Sequence, residues 1–343
     1  MSERKKRIGI LTAGGDCPGL NAAIRGVGKT AIVEYGMEVI GFRSGYSGLI
    51  HNDYIELHES QLSGILTLGG TILGTSREKP YKLVDNNGQA NEKPDSILQN
   101  YEQLGLDALI CIGGNGTMKT ANMLAKQGLN IIGMPKTIDN DVWGTDVTFG
   151  FDSAVYIATE AIDRLHTTAN SHQRVMIIEV MGHNAGWLAL YAGSAGGGDI
   201  VLLPEIPYNI HSVVKKVEQR YEDHKPYSIV VVAEGIEHPK KMSAASYIAD
   251  AISSYTGLET RETVLGYIQR GGSPTPADRI LATRYGFFAA ECIVNKQFGT
   301  MVAVKDNKLV AVPLDEVGGK TRLVCPDNPL IEIARKMGVS FGE

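Results

Sequence analysis

A repeated unit limits what this chain can fold into: a short apolar run rich in β-branched residues, a glycine loop, then a helical pattern. RIGILT (7–12) runs into AGGDCPG and then LNAAIRGVGKTAIVEY. DALICI (107–112) runs into GGNGT and MKTANMLAKQ, and RVMIIEV (174–180) into MGHNAG and WLALYAGSA. NIIGMP (130–135) and SIVVVAEG (228–235) are further strand candidates. Strands alternating with helices indicate βαβ units and mainly parallel sheets, so the predicted class is α/β. Ligands of such sheets bind beyond the carboxyl ends of the strands, where these loops lie.

Glycine supplies 40 of the 343 residues, well above the usual ~7 %, and collects at the ends of apolar runs. That placement suits backbone brought close to a ligand. A net charge of −5 argues against a nucleic-acid surface. The four cysteines share no metal-ligand or disulfide spacing, which suits a reducing cytoplasm. No apolar stretch reaches the length of a membrane span. MSERKKR reads as a solvated basic tail. The strand-loop-helix pattern before residue 150 and again after 170 predicts two α/β lobes. HESQLSGILTLGGTILGTSREKPY (58–81) reads as a helix, a glycine turn and an exposed loop reaching Arg77. MVAVKDNKLVAVPL (301–314) alternates around a turn and predicts a β-hairpin. GVGKT (26–30) imitates the end of a phosphate loop but lies inside a helical pattern, with Ala23 where the motif needs glycine.

The loops at 14–19 and 113–117 each follow a strand and precede a helix. Backbone N–H groups converge on anions in such places, helped by the helix dipole. PKTIDND (135–141) offers two carboxylates, Asp139 and Asp141. One could face a reacting hydroxyl and the other a metal, as phosphoryl transfer requires; an Asx turn is the plainer alternative. Lys136 reads either as a phosphate contact or as a surface charge. Arg77, Arg174, Arg261 and Arg270 lie in loop-like surroundings and suit bidentate phosphate recognition.

Taken in order, GILTAGGDCPGLNAAIRG, GGNGT, PKTIDND, SHQRVMIIEVMG and ETRETVLGYIQRGGSPTPADR resemble the 6-phosphofructokinase family across nearly the whole chain. The resemblance implies two Rossmann-like lobes with the active site in the cleft between them. The expected lobes are 1–150 plus about 269–319 for the donor, and 151–268 plus about 320–343 for the sugar phosphate. It implies phosphoryl transfer from ATP to the 1-hydroxyl of fructose 6-phosphate, with Mg²⁺, in a cytoplasmic homotetramer. Asp139 matches the general base; Thr137 contacts substrate and Asp141 supports the metal. Gly15 and Arg77 match the positions that stabilise the transferring phosphoryl group. Met181, Gly182, Glu234 and Arg270 match sugar-phosphate contacts, and Tyr267 replaces a frequent histidine. Arg174 and Arg261 match the pair that reaches the 6-phosphate from a neighbouring subunit.

The departures concern the donor. Gly114, Asn115, Gly116 and Thr117 form the donor loop, and Asn115 stands where the family has an aspartate that helps hold the metal. Gly116 leaves open the space that pyrophosphate users fill with an acidic side chain, which favours ATP. Lys136 matches a lysine typical of pyrophosphate enzymes, and Thr120 replaces a glycine that often makes room for adenosine. Pyrophosphate-dependent, reversible transfer is therefore the alternative, followed by a catalytically weak sugar-phosphate sensor. His183 replaces a frequent arginine beside the sugar phosphate. His166 and Asp223 stand where effector-binding cations are usual, although Arg25 and Lys225 are kept, so ADP or phosphoenolpyruvate is expected to act weakly.

Overall fold

The computed structural model describes residues 4–81 and 93–343. Its strands in chain order are β1 (Arg7–Thr12), β2 (Glu38–Phe42), β3 (Tyr54–Glu56), β4 (Ala108–Gly113), β5 (Ile131–Pro135), β6 (Val175–Val180), β7 (Ile200–Leu202), β8 (Ser228–Ala233), β9 (Thr260–Val264), β10 (Thr300–Lys305) and β11 (Lys308–Pro313). The chain forms two compact units. One comprises Met1–Thr137, Val142–Gly150 and Arg270–Thr321; the other comprises Ile138–Asp141, Phe151–Gln269 and Arg322–Glu343. The mainly parallel α/β class expected from the repeated unit is what forms.

The first unit holds a seven-stranded sheet in the order β11-β10-β5-β4-β1-β2-β3. Its inner pairs are parallel, while β2–β3 and the predicted hairpin β10–β11 are antiparallel. β4 lies between β1 and β5 and is buried along its whole length, which explains its unbroken apolar sequence. The second unit holds a four-stranded parallel sheet, β7-β8-β6-β9. β6 and β8 are likewise fully buried. β9, sequence TRETV, is an edge strand with mostly exposed side chains, so no apolar alternation marks it beforehand.

GVGKT sits in and just beyond the helix Leu20–Lys29, and its glycines serve packing. A Cβ on Gly26 would lie 3.0 Å from the Thr283 carbonyl oxygen, and one on Gly286 would lie 2.6 Å from the Val27 nitrogen. The helices Leu20–Lys29 and Pro276–Val294 therefore cross with backbones nearly touching. The basic start is solvated as expected, with Arg4, Lys5 and Lys6 exposed. Arg4 pairs with Asp107 at 2.8 Å and Arg7 with Glu38 at 2.7 Å, while residues 1–3 lie outside the described residues. Cys17, Cys111 and Cys292 are buried and Cys325 is exposed, all as free thiols. Among the described residues, no helix is long and apolar enough to cross a membrane.

The crossing gives a first test. Gly286→Ala gains about 1 kcal/mol of helix propensity but drives a methyl into the Val27 backbone. Overpacking of this kind costs about 1–3 kcal/mol, so urea denaturation should show a net loss of stability.

Candidate active site

In the first unit the chemistry gathers at the carboxyl ends of β1, β4 and β5. The loop after β1 is held through its own polar backbone. Ala13 N–H donates to the Ile112 carbonyl (2.9 Å) and Gly14 N–H to that of Ser76 (2.9 Å). The Thr75 hydroxyl donates to the Gly14 carbonyl at 2.7 Å, and the Lys136 ammonium donates to the Gly15 carbonyl. Among the described residues, the Gly15 and Asp16 N–H groups have no acceptor. Adjacent unengaged amides suit an anion.

Three cations surround this loop. Arg77, one residue beyond the Thr75–Ser76 contacts, is exposed and makes no ion pair among the described residues. Lys136 is only 3 % exposed. The Arg270 guanidinium packs against Gly15 so closely that a Cβ there would sit 2.3 Å from Nη1. The resemblance gave Arg270 to the sugar phosphate; its neighbour within this unit is the loop after β1. Cys17, on the same loop, donates to the Phe149 carbonyl at 3.7 Å. Burial pushes its thiol far up, with the nearby Lys136 charge only partly opposing that, so it stays neutral and is no nucleophile.

The GGNGT loop opens the helix Asn115–Lys126, with Gly114 as N-cap. Its glycines have different reasons to be there. At Gly113 a Cβ would meet Thr117 Oγ1 at 2.1 Å, whereas at Gly114 it would make only an ordinary contact, 3.5 Å from the Lys136 carbonyl oxygen. At Gly116 it would meet nothing within 4 Å, and φ is not positive there. Gly116 is helical and exposed, where glycine is unfavourable by about 1 kcal/mol against alanine. Neither packing nor conformation requires it. Thr117 is buried, and its carbonyl accepts from the Tyr46 hydroxyl at 3.1 Å. The Asn115 Oδ1 is buried, and the Thr120 hydroxyl folds back on the Gly116 carbonyl (3.2 Å). Thr137 accepts at its carbonyl from the Thr148 hydroxyl at 2.8 Å.

The second unit begins its share at Ile138–Asp141. Asp139 and Asp141 flank Asn140, whose φ of +52° marks a left-handed turn. Arg322 fastens this turn, donating from its amide to the Asp141 carbonyl (2.8 Å) and from Nη1 to the Asn140 carbonyl (3.1 Å). At the carboxyl ends of β6 and β8, His183 N–H donates to Glu234 Oε1 at 2.8 Å, and Met181 N–H to Gln269 Oε1 at 3.3 Å. Gly182 has φ +146°, and a Cβ there would lie 2.4 Å from the Ala185 carbonyl oxygen. Gln269, fully buried, also donates to the Gly266 carbonyl (3.1 Å). It orders the segment bearing Tyr267, and its burial was not legible in the sequence. Tyr267 itself is 74 % exposed.

Arg174 and Arg261 lie elsewhere. Both pair with Glu259, Arg174 at 2.8 Å, at the amino ends of β6 and β9. Seven residues along β6 separate Arg174 from Met181, roughly 20 Å of extended chain. Within one unit these arginines cannot share a ligand with Met181, Gly182 and Glu234. His166 Nε2–H donates to the Gly196 carbonyl (2.6 Å), and Nδ1 shares a hydrogen bond with the Tyr227 hydroxyl (3.0 Å).

Comparison with known proteins agrees with the sequence resemblance. A phosphofructokinase family profile matches residues 7–293. The ATP-dependent 6-phosphofructokinase 3 of Bacteroides thetaiotaomicron is 60 % identical over 338 residues, 98 % of this chain and 100 % of that protein. An ATP-dependent 6-phosphofructokinase of Spirochaeta thermophila is 55 % identical, covering 98 % of each chain. A crystal structure of a pyrophosphate-dependent phosphofructokinase from Marinobacter aquaeolei superposes with a TM-score of 0.85, covering 98 % of this chain and 92 % of that one. At 22 % identity it speaks for the fold alone.

The two glycine types in GGNGT separate experimentally. Gly113→Ala should destabilise by about 1–3 kcal/mol through the clash with Thr117. Gly116→Ala should leave stability unchanged or raise it by up to about 1 kcal/mol. Thermal denaturation of the two variants checks both.

Proposed function

The chain belongs to the phosphofructokinase family, and we propose that it transfers the γ-phosphoryl group of ATP to the 1-hydroxyl of fructose 6-phosphate. The observation that carries the donor assignment is Gly116, a helical glycine with open space at its Cβ position and no folding reason to be glycine. Its freedom suits a nucleotide running past the start of the helix, whose N-terminus favours phosphate. The relatives named for ATP at 55–60 % identity support the same donor. Lys136 is the residue that favours pyrophosphate as a second reading.

In this reading Asp139 accepts the proton of the 1-hydroxyl as that oxygen bonds to the γ-phosphorus. The bond to the β–γ bridging oxygen breaks, and ADP leaves. The unengaged amides of Gly15 and Asp16, with Arg77, face the charge on the transferring group. Thr137 and the tied-down turn at Asn140 hold the substrate side of PKTIDND in place. Met181, Gly182, His183, Glu234 and Tyr267 form the sugar-phosphate wall. Arg270 lies beside Gly15 and follows the segment that carries Tyr267 in sequence.

Asn115 and Asp141 would hold Mg²⁺. An amide oxygen and a carboxylate are hard donors, and Mg²⁺ normally takes one or two protein oxygens together with phosphate and water. When bound, the ion spreads the negative charge of the polyphosphate.

Arg174 and Arg261 serve a neighbouring copy in this reading, as a homotetramer with shared sites requires. Their position at the amino ends of β6 and β9 supports it. We place the enzyme in the cytoplasm with the other steps of sugar-phosphate breakdown. His166, with both ring nitrogens engaged, supports weak response to phosphate effectors.

Two variants test the function. Asp139→Asn should lower kcat about 10²-fold or more while fructose 6-phosphate binding changes little, since general-base help is worth about 10²–10⁴; near-normal kcat would remove Asp139 from its role. Gly116→Asp places a carboxylate beside the nucleotide, and like charges so close cost on the order of several kcal/mol. Its ATP affinity should fall at least about tenfold in calorimetry, with the melting temperature unaffected.

A further inference from the structure

Lys136 has a task that neither a surface charge nor a donor contact describes. It is a lysine 3 % exposed, and a buried ammonium carries three donors and no acceptor. Such a group is tolerated in the interior only when its donors are met. Its backbone is pinned first: Lys136 N–H donates to the Gly113 carbonyl at 2.9 Å, and its carbonyl oxygen lies 3.5 Å from where a Gly114 Cβ would be. Residue 136 also bridges to Phe149 in parallel register. The side chain then runs from the donor loop after β4 to the loop after β1, where Nζ bonds the Gly15 carbonyl. Nζ comes within 3.9 Å of where a Gly14 Cβ would be.

The Gly15 carbonyl and the Asp16 N–H belong to one planar trans peptide, so they point in opposite directions. Whatever grips the carbonyl aims the amide. The peptide turns about the Gly15 Cα–C bond, and Gly15 has no Cβ to restrict that rotation. The Gly14 carbonyl is held separately by Thr75. The amide being aimed is one of the two without an acceptor among the described residues.

We infer that Lys136 is a positioning residue: its ammonium holds the Gly15–Asp16 peptide so that the Asp16 N–H faces the transferring phosphoryl group. This role serves ATP and pyrophosphate alike, which is why the lysine does not by itself select the donor. The inference rests on the phosphoryl-transfer reading above.

Lys136→Met keeps the length and bulk and removes the donor. Crystal structures of wild type and variant should show the 15–16 peptide rotated in the variant. The variant's kcat with fructose 6-phosphate and MgATP should fall at least about tenfold, because small misplacements of catalytic groups cost up to about 10²-fold. Its MgATP dissociation constant, by calorimetry, should change less than about threefold. Lys136→Gln, which retains an N–H donor, should lie closer to wild type than the Met variant in kcat. A dissociation constant raised tenfold with kcat retained would make Lys136 a direct donor ligand and overturn the inference. An unmoved peptide, or equal losses in Met and Gln, would overturn it too. If wild type turns over neither ATP nor pyrophosphate, the functional reading fails, and the crystal comparison still judges Lys136 by itself.

Discussion

The polar backbone of residues 13–16 must be bonded somewhere, and where it is bonded shapes the first unit's chemistry. The Gly14 and Gly15 carbonyls are taken by Thr75 and Lys136, and the Ala13 and Gly14 amides by Ile112 and Ser76. The Gly15 and Asp16 amides are what remain. A loop whose carbonyls accept from its neighbours presents donors to an anion without a rearrangement at the moment of reaction. The same contacts bring in Arg77, which follows the Thr75–Ser76 segment, and tie the loop after β1 to the end of β5 through Lys136.

Glycine is abundant here for several unlike reasons, and only geometry sorts them. Gly26 and Gly286 let two helices cross, Gly113 makes room for Thr117, and Gly15 for Arg270. Gly116 has none of these reasons. A glycine that the fold does not need, at the start of a helix on the donor loop, is the one to assign to a ligand. The high glycine count pointed to ligand loops in general; Gly116, with open space at its Cβ position, stands out only when each absent side chain is tested for space.

The buried strands β1, β4, β5, β6 and β8 were legible because parallel strands covered on both faces become unbroken apolar runs. The hairpin β10–β11 was legible by alternation. β9 was not, since TRETV on a sheet edge has no apolar face to betray it. The candidate site was legible as loops and motifs, through GGDCPG, GGNGT and PKTIDND. The partners of its long side chains were not: Arg270 reaches Gly15 from a helical turn over 250 residues away in sequence, and Lys136 turns from an ambiguous charge into a buried clasp. Glu259, which joins Arg174 to Arg261, carries no sequence signal, since a lone glutamate is ordinarily a solvated surface charge.

In the proposed reading GGNGT is a nucleotide site kept open at Gly116. A crystal structure of the wild-type chain with MgADP tests it most directly. The diphosphate is expected at the start of the helix Asn115–Lys126, with the nucleoside end of ADP in van der Waals contact with the Gly116 Cα. A nucleotide bound away from that helix, or passing it with Gly116 left in solvent, would rule out that assignment.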